Sequence, residues 1–154
     1  MSRGTTVRRA SVDDPADMAQ LVRLRWLQGG GHEHDADVAF SERLAAWLHA
    51  ESPRRAWWLA ERDGDPAGFV GALRYMRMPK AGTKPTGWAY LGSLYVPAQH
   101  RGHGLGGAMV DAVVTWARAE GLVRVVLSPS ERSVPLYRRA GFRYAEELLV
   151  LTLA

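Results

Sequence analysis

Gly102-His103-Gly104-Leu105-Gly106-Gly107 stands between a strand-like apolar segment, Trp88 to Val96, and a run to Glu120 in which Leu105, Met109, Val113 and Trp116 recur on one helical face. Glycine lacks a Cβ, so Gly102, Gly104 and Gly106 let the backbone bend tightly and bring successive N–H groups close to a ligand. The start of the helix adds partial positive charge. A strand, a glycine turn and a helix N-terminus in that order make a phosphate site. No Asp or Glu occurs from Pro66 to Val110, whereas Arg74, Arg77, Lys80, Lys84 and Arg101 all do. That favours a local anion site over a merely solvated basic face.

Two further groups could do chemistry. His32-Glu33-His34-Asp35-Ala36-Asp37 is polar and titratable, but alternating neighbours in a loop do not converge on an ion as a helical i, i+4 pair does. No metal is expected, and the stretch reads as a loop lining a substrate cleft or as a solvated connector. Tyr137 lies among Val134, Leu136, Ala140 and Phe142, where a core tyrosine is the ordinary reading. Core packing also accounts for most of the six tryptophans.

The elements that must position these residues follow from periodicity and breakers. Thr5 to Ala10 reads as a strand, and Asp14-Pro15 as an N-cap followed by proline in the first helical turn. Met18, Leu21, Val22 and Trp26 share a helical face that Gly29-Gly30-Gly31 ends, and Phe40, Leu44, Trp47 and Leu48 mark a second helix. Asp63-Gly64 joins two antiparallel strands, Trp57 to Glu61 and Ala67 to Met76, and Pro79 to Gly87 loops into the Trp88 to Val96 strand. Gly121 caps the third helix, Val123 to Leu127 reads as a buried strand, a short helix runs from Ser133 to Gly141, and Phe142 to Leu153 gives one or two closing strands. The predicted order is β-α-α-β-β-β-α-β-α-β.

With 154 residues, 47% of them hydrophobic, the chain suits one domain, 1–154, and shows no repeat or linker. Cysteine is absent, which excludes disulfides, thiolate metal sites and cysteine nucleophiles and suits a reducing compartment. No signal-peptide core and no membrane-length apolar run is present, so a cytoplasmic protein without a membrane partner is expected. A net charge of +4 suits an anionic small ligand, and with no recognition motif nucleic acid is not an expected partner. Gly102, Gly104 and Gly107 satisfy G-x-G-x-x-G, but a dinucleotide-binding unit would place it after the first strand with an acid about twenty residues on. No Gly-Lys-Ser or Gly-Lys-Thr follows the turn, which excludes a P-loop.

Gln99-His100-Arg101-Gly102-His103-Gly104, placed after Leu94-Tyr95-Val96, resembles the acetyl-CoA signature of the GNAT N-acetyltransferases: a glutamine or arginine, two variable residues, glycine, any residue, then glycine or alanine. Leu136-Tyr137-Arg138-Arg139-Ala140-Gly141-Phe142 is similar to the same family's second signature, and the element order matches over nearly the whole chain. The resemblance implies an α/β (α+β) fold, a GNAT-like single domain with a mixed, mostly antiparallel twisted sheet flanked by helices and splayed between its fourth and fifth strands. It implies acetyl-CoA as co-substrate, and transfer of the acetyl group to a primary amine by direct attack in a ternary complex without metal or covalent enzyme intermediate. Arg101, Gly102, His103, Gly104, Leu105, Gly106 and Gly107 would then hold the pyrophosphate through backbone N–H groups. The pantetheine arm would pair near Leu94, Tyr95 and Val96, with Ser130 and Ser133 also touching the cofactor. The Val96 N–H would polarise the thioester carbonyl, and Tyr137 would protonate the leaving thiolate as general acid.

The chain departs from the family's pattern twice. Ser130 stands where many members have asparagine, and Tyr90-Leu91-Gly92-Ser93 offers no glutamate on the fourth strand to act as base. A base is expected from the 33–35 loop, with Glu33 first and His34 and Asp35 beside it, or from a water chain past Ser93. The missing glutamate leaves open a non-catalytic acyl-CoA-binding sensor or interaction module, and a dinucleotide-binding domain is a more distant rival. Acceptor specificity is expected in the first two helices and the Gly29 to Asp37 and Pro79 to Gly87 loops. A homodimer through the closing strands or the Trp-rich faces is a further option that one sequence does not fix.

Overall fold

The structure is a computed structural model, and it describes residues 4–32, 35 and 37–154. In chain order the elements are β1 (Thr5–Arg9), α1 (Pro15–Gln28), α2 (Val38–Glu51), β2 (Arg55–Arg62), β3 (Asp65–Met76), β4 (Gly87–Tyr95), α3 (Leu105–Ala119), β5 (Val125–Val126) and α4 (Val134–Arg139), with single 3-10 turns at Ala98–His100 and Glu131–Ser133. Asp63 and Gly64 take φ values of 52° and 85°, the paired left-handed geometry that matches the twist of the strands it joins, and so β2 and β3 form a hairpin. Asp14 caps α1 by accepting from the Ala16 N–H at 2.8 Å, and Pro15 follows in the first turn as its missing donor allows.

The sheet runs β1-β2-β3-β4-β5, antiparallel throughout except for the parallel pair β4 and β5. α3 covers one face, where Met109, Val110 and Val113 are buried with Trp58, Val70, Ala72 and Leu91. α1 and α2 cover the other, where Leu21, Leu24 and Leu48 meet Trp57, Leu59 and Phe69. Asp17, 3% exposed, ties α1 to β1 through Arg8 Nη2 at 2.7 Å and also accepts from the Ser11 N–H at 2.9 Å. The Arg8 guanidinium, chiefly by that hydrogen bond, holds the Asp17 carboxyl below its ordinary pKa.

β5 pairs with β4 only at Ala89 and Tyr90. From Leu91 to Tyr95 that edge of β4 has no strand beside it among the described residues, which is the expected splay. The fold class and the order up to α4 agree with the sequence, but the closing strand does not form. Residues 142–154 contain neither helix nor strand. Their root is held by Glu147, 3.6 Å from Arg124 and 3.7 Å from Arg143. β5 is only Val125–Val126, too short an edge to register a closing strand, and Leu149, Val150, Leu151 and Leu153 stay exposed. The fifth strand is also shorter than the Val123 to Leu127 run, because Val123 is already spent on a single bond to the Gly87 carbonyl at 2.9 Å and stays largely exposed.

Candidate functional site

β4 carries the site, and one extra residue in it decides what faces where. Gly71 of β3 is opposite Ser93 while Ala72 is opposite Leu91, so Gly92 is a bulge. Leu91 and Leu94, three apart, therefore both pack on the α3 side, and Ser93 and Tyr95 turn toward α1 and α2. β4 stops pairing with β3 at Tyr95, opposite Phe69, and Val96 lies just past that last pair. The Val96 carbonyl accepts from Arg101 Nε at 3.0 Å, and Arg62 Nη1, from the end of β2, donates to the Gln99 carbonyl at 3.3 Å. These two bonds pin both ends of the turn that leads to α3.

Gly102 and Gly104 have φ values of 81° and 78°, in the left-handed region that only glycine enters cheaply. A Cβ at either would meet nothing within 4 Å, so the space over the turn is open. Gly104 is the N-cap of α3 and supplies no side-chain acceptor, so the first N–H groups of the helix point at that space uncapped. An anion answers both the geometry and the dipole. Gly106 does different work. A Cβ there would lie 3.2 Å from Leu136 Cδ2, so its lack of side chain lets α4 close on α3. Gly107 has open space around its Cβ position, and His103 is half-buried. Leu105 is buried in the core and has only its backbone to offer a ligand, and Leu94 and Tyr95 likewise pack inward on opposite faces.

The contact of Leu136 with Gly106 brings Tyr137 to the same end of α3. Tyr137 is 8% exposed, lies edge-on to Phe142 at 5.5 Å, and shares the core with Leu105 and Met109. Burial pushes its hydroxyl pKa up, which keeps the phenol protonated. Ser130 and Ser133, just ahead of α4, are bonded Oγ to Oγ at 3.0 Å, and Ser133 Oγ also donates to the Ser130 carbonyl at 2.9 Å. They shape the entry to α4.

The acid-free window behaves differently from its sequence reading. Arg74, opposite Ala89, is ion-paired with Glu120 at 3.1 Å, and Arg77 lies over the Trp88 ring at 5.1 Å. Both sit toward the end of β4 where Gly87 pairs with Met76, and the Pro79 to Gly87 loop is there too, across the length of the strand from the glycine turn. Of the five basic residues only Arg101 is at the turn, and a sequence window hides this because an antiparallel pair folds its two ends apart. Arg62 and His100 replace them, 3.5 Å apart through Arg62 Nη1 and His100 Nδ1. Arg62 was not legible as a site residue, since only the β1-β2-β3 register brings it there. Glu33 and His34 lie outside the described residues; Asp35 accepts from Arg23 Nη1 through its backbone carbonyl at 3.0 Å. Among the described residues no cluster of His, Asp and Glu could hold a metal ion, and no helix is long and apolar enough to cross a membrane.

On the face of β4 that carries Ser93 there is a pocket of about 160 Å³ walled by Leu21, Arg25, Leu44, Trp47, Trp57 and Phe69. The Trp57 ring of its wall lies over Gly71, where a Cβ would overlap it.

A family model described as Acetyltransferase (GNAT) family matches residues 18–142. The chain belongs to this family. It is 33% identical over 89 residues to glucosamine 6-phosphate N-acetyltransferase of Trypanosoma brucei brucei, covering 57% of this chain and 60% of that protein. It is 35% identical over 130 residues to N-acetyltransferase 8F1 of Rattus norvegicus, covering 80% and 56%. The chain thus spans little more than half the length of these curated relatives. Among solved structures, a predicted acetyltransferase with acetyl-CoA from Clostridium acetobutylicum aligns with a TM-score of 0.71 at 22% identity over 97% of this chain and 96% of that one. An aminoglycoside acetyltransferase from an uncultured soil metagenomic sample aligns with a TM-score of 0.74 at 15% identity, over 99% and 97%. At those identities the likeness is one of fold, and it is the GNAT fold, with the glycine turn inside the matched region.

Proposed function

We propose that this GNAT chain is an acetyl-CoA-dependent N-acetyltransferase that acts on a primary amine by direct attack in a ternary complex. The observation that carries the reading is the uncapped start of α3, open above Gly102 and Gly104, beside the unpaired half of β4 and one helix contact away from Tyr137. The site fits the co-substrate's chemistry: backbone donors for a pyrophosphate, a free strand edge for an amide-bearing arm, and a protonated phenol for a leaving sulfur. Acetyl-CoA supplies the activated acyl group. The N–H groups from Arg101 to Gly107 hold the phosphates, and main chain near Leu94, Tyr95 and Val96 pairs with the arm, the Val96 N–H donating to the thioester oxygen. Attack by the amine nitrogen forms the C–N bond as the C–S bond breaks. Tyr137 then gives its proton to the sulfur, and the amine's surplus proton leaves through a base, which we assign to Glu33.

The amine's body is proposed to enter the pocket beside Ser93, whose tryptophan and leucine walls suit an apolar or aromatic group. We also place the protein in the cytoplasm, a reading that the cysteine-free composition supports. The same lack of cysteine gives a thiol-release assay no protein background. Release of coenzyme A thiol with a member of an amine panel, together with calorimetric binding of acetyl-CoA and not of NADH, is the expected result. Binding without release with any amine would instead make the chain an acyl-CoA sensor. An unchanged pH profile of kcat/KM in Glu33→Gln, His34→Ala and Asp35→Asn would remove the base from this loop.

A further inference from the structure

The pocket beside Ser93 has a charge as well as a shape. Among the described residues no Asp or Glu lines it, and Arg25 is the ionised group in its wall. Arg25 stands one turn after Leu21 on α1 and stays exposed, which puts it at the open side of the pocket. Its Nη1 donates to Gln28 Oε1 at 2.6 Å, a neutral amide that orients the guanidinium and leaves its charge uncompensated. The last turn of a helix favours a cation, which explains a base at this position but not its place in an otherwise apolar wall.

A second guanidinium lies behind Trp47. Arg55 stacks on that ring at 4.8 Å, and its Nη1 would be 3.8 Å from a Cβ at Gly92, the residue before Ser93. Glu51 faces Arg55, but Nε to Oε2 is 3.7 Å, and the same carboxylate accepts from Arg54 Nη2 at 3.0 Å. One carboxylate thus serves two guanidiniums, and this side of the site keeps a positive charge. Trp57, in the pocket wall, adds a buried indole N–H with no hydrogen-bond partner among the described residues. The wall supplies positive charge and a donor and lacks the anion that would answer them.

Within the acetyltransferase reading, on which this rests, we propose that the acceptor is a small amine carrying its own oxyanion, a carboxylate or a phosphate. Arg25 binds that anion, and the apolar walls take one ring-sized group. The cavity of about 160 Å³ is close to the roughly 150 Å³ that holds a benzene molecule. An amine without an anion brings only positive charge to a positive pocket, and a polyamine brings more. The oxyanion offsets that repulsion, and the planar guanidinium fork pairs with carboxylate and phosphate alike.

A matched set of amines tests this: phenethylamine, phenylalanine, phenethylamine with a para carboxylate on the ring, and the phosphonate analogue of phenylalanine. Release of coenzyme A thiol should give at least one anion-bearing member a kcat/KM about tenfold or more above that of phenethylamine, and added salt should shrink the ratio. The member that leads tells carboxylate from phosphate. Arg25→Gln should bring the ratio close to one, and Arg25→Lys, which keeps the charge without the fork, should restore part of it. Calorimetry of the same amines into protein saturated with coenzyme A reads binding apart from turnover. Tighter binding of an anion-bearing amine with no thiol released from any of them would remove the catalysis and keep the anion site. Phenethylamine preferred in both assays, no binding of any anion-bearing amine, or a ratio unchanged in Arg25→Gln would overturn the proposal, even where acetyl transfer itself stood.

Discussion

Leu136 rests on Gly106, with its Cδ2 3.2 Å from where a Cβ on that glycine would be. The contact joins the two segments that carry the proposed chemistry, the phosphate turn and the tyrosine helix.

Gly106→Val should therefore act beyond the turn, on the tyrosine helix. Its branched side chain would push Leu136 outward and drag Tyr137 with it, at a cost of about 1–3 kcal/mol for overpacking. A lowered thermal midpoint together with a fall in kcat larger than the loss of acetyl-CoA affinity is expected. Equal losses in both would mean that the turn itself had been damaged.

Gly104→Asp separates binding from folding. Aspartate tolerates left-handed φ better than most residues, so the strain at this position should cost about 1–2 kcal/mol and leave the variant folded. Its carboxylate would face the phosphates, and a like charge at about 5 Å with an effective dielectric of about 20 is worth roughly 3 kcal/mol, about a hundredfold in Kd. Calorimetry checks this, and unchanged affinity in the folded variant would sink the phosphate assignment.

Tyr137→Phe should lower kcat by roughly a hundredfold or more, the usual yield of a positioned proton donor, while acetyl-CoA affinity stays near that of the parent. Burial raises the phenol pKa above that of an ordinary tyrosine, so it holds its proton across the neutral range. The alkaline fall in kcat should lie above the range of an ordinary tyrosine and disappear in the variant. An alkaline limb that survives the substitution would belong to another group.

Asp17 predicts how stability responds to acid. Its folded pKa is lowered, mainly by Arg8, so its contribution is complete above the unfolded value and is lost as pH falls through the folded one. Asp17→Asn should cost about 1–3 kcal/mol at neutral pH, in the range of charge-assisted hydrogen bonds. The gap to the parent should narrow as both are unfolded in urea at successively lower pH, whereas a gap constant down to about pH 2 would mean the ion pair is not its source.

The parts of the fold legible in the sequence were those set by local rules. Asp14-Pro15, Asp63-Gly64 and the glycine turn each carry their own geometry, and the α3 stripe of Leu105, Met109 and Val113 repeats at the helical period. What escaped depended on partners distant in the chain. Arg62 reaches Gln99 across 37 positions, Arg74 pairs with Glu120 rather than facing the glycine turn, and the leucine segment at 148–153 reads as a closing strand although it stays exposed and forms none. Asp17 fits the first turn of a helix on dipole grounds, yet its main partner is Arg8 on a neighbouring strand.

The bulge at Gly92 divides β4 into two reading frames. Before it, Leu91 is counted with α3, and after it Leu94 and Val96 are, so the odd step between them is what keeps Ser93 and Tyr95 on the opposite face. Were Gly92 to enter the ladder as an ordinary strand residue, every later side chain would move to the wrong side. Length variation in this family's fold can be absorbed freely in the loops, but within these few residues the parity of the chain is itself part of the site.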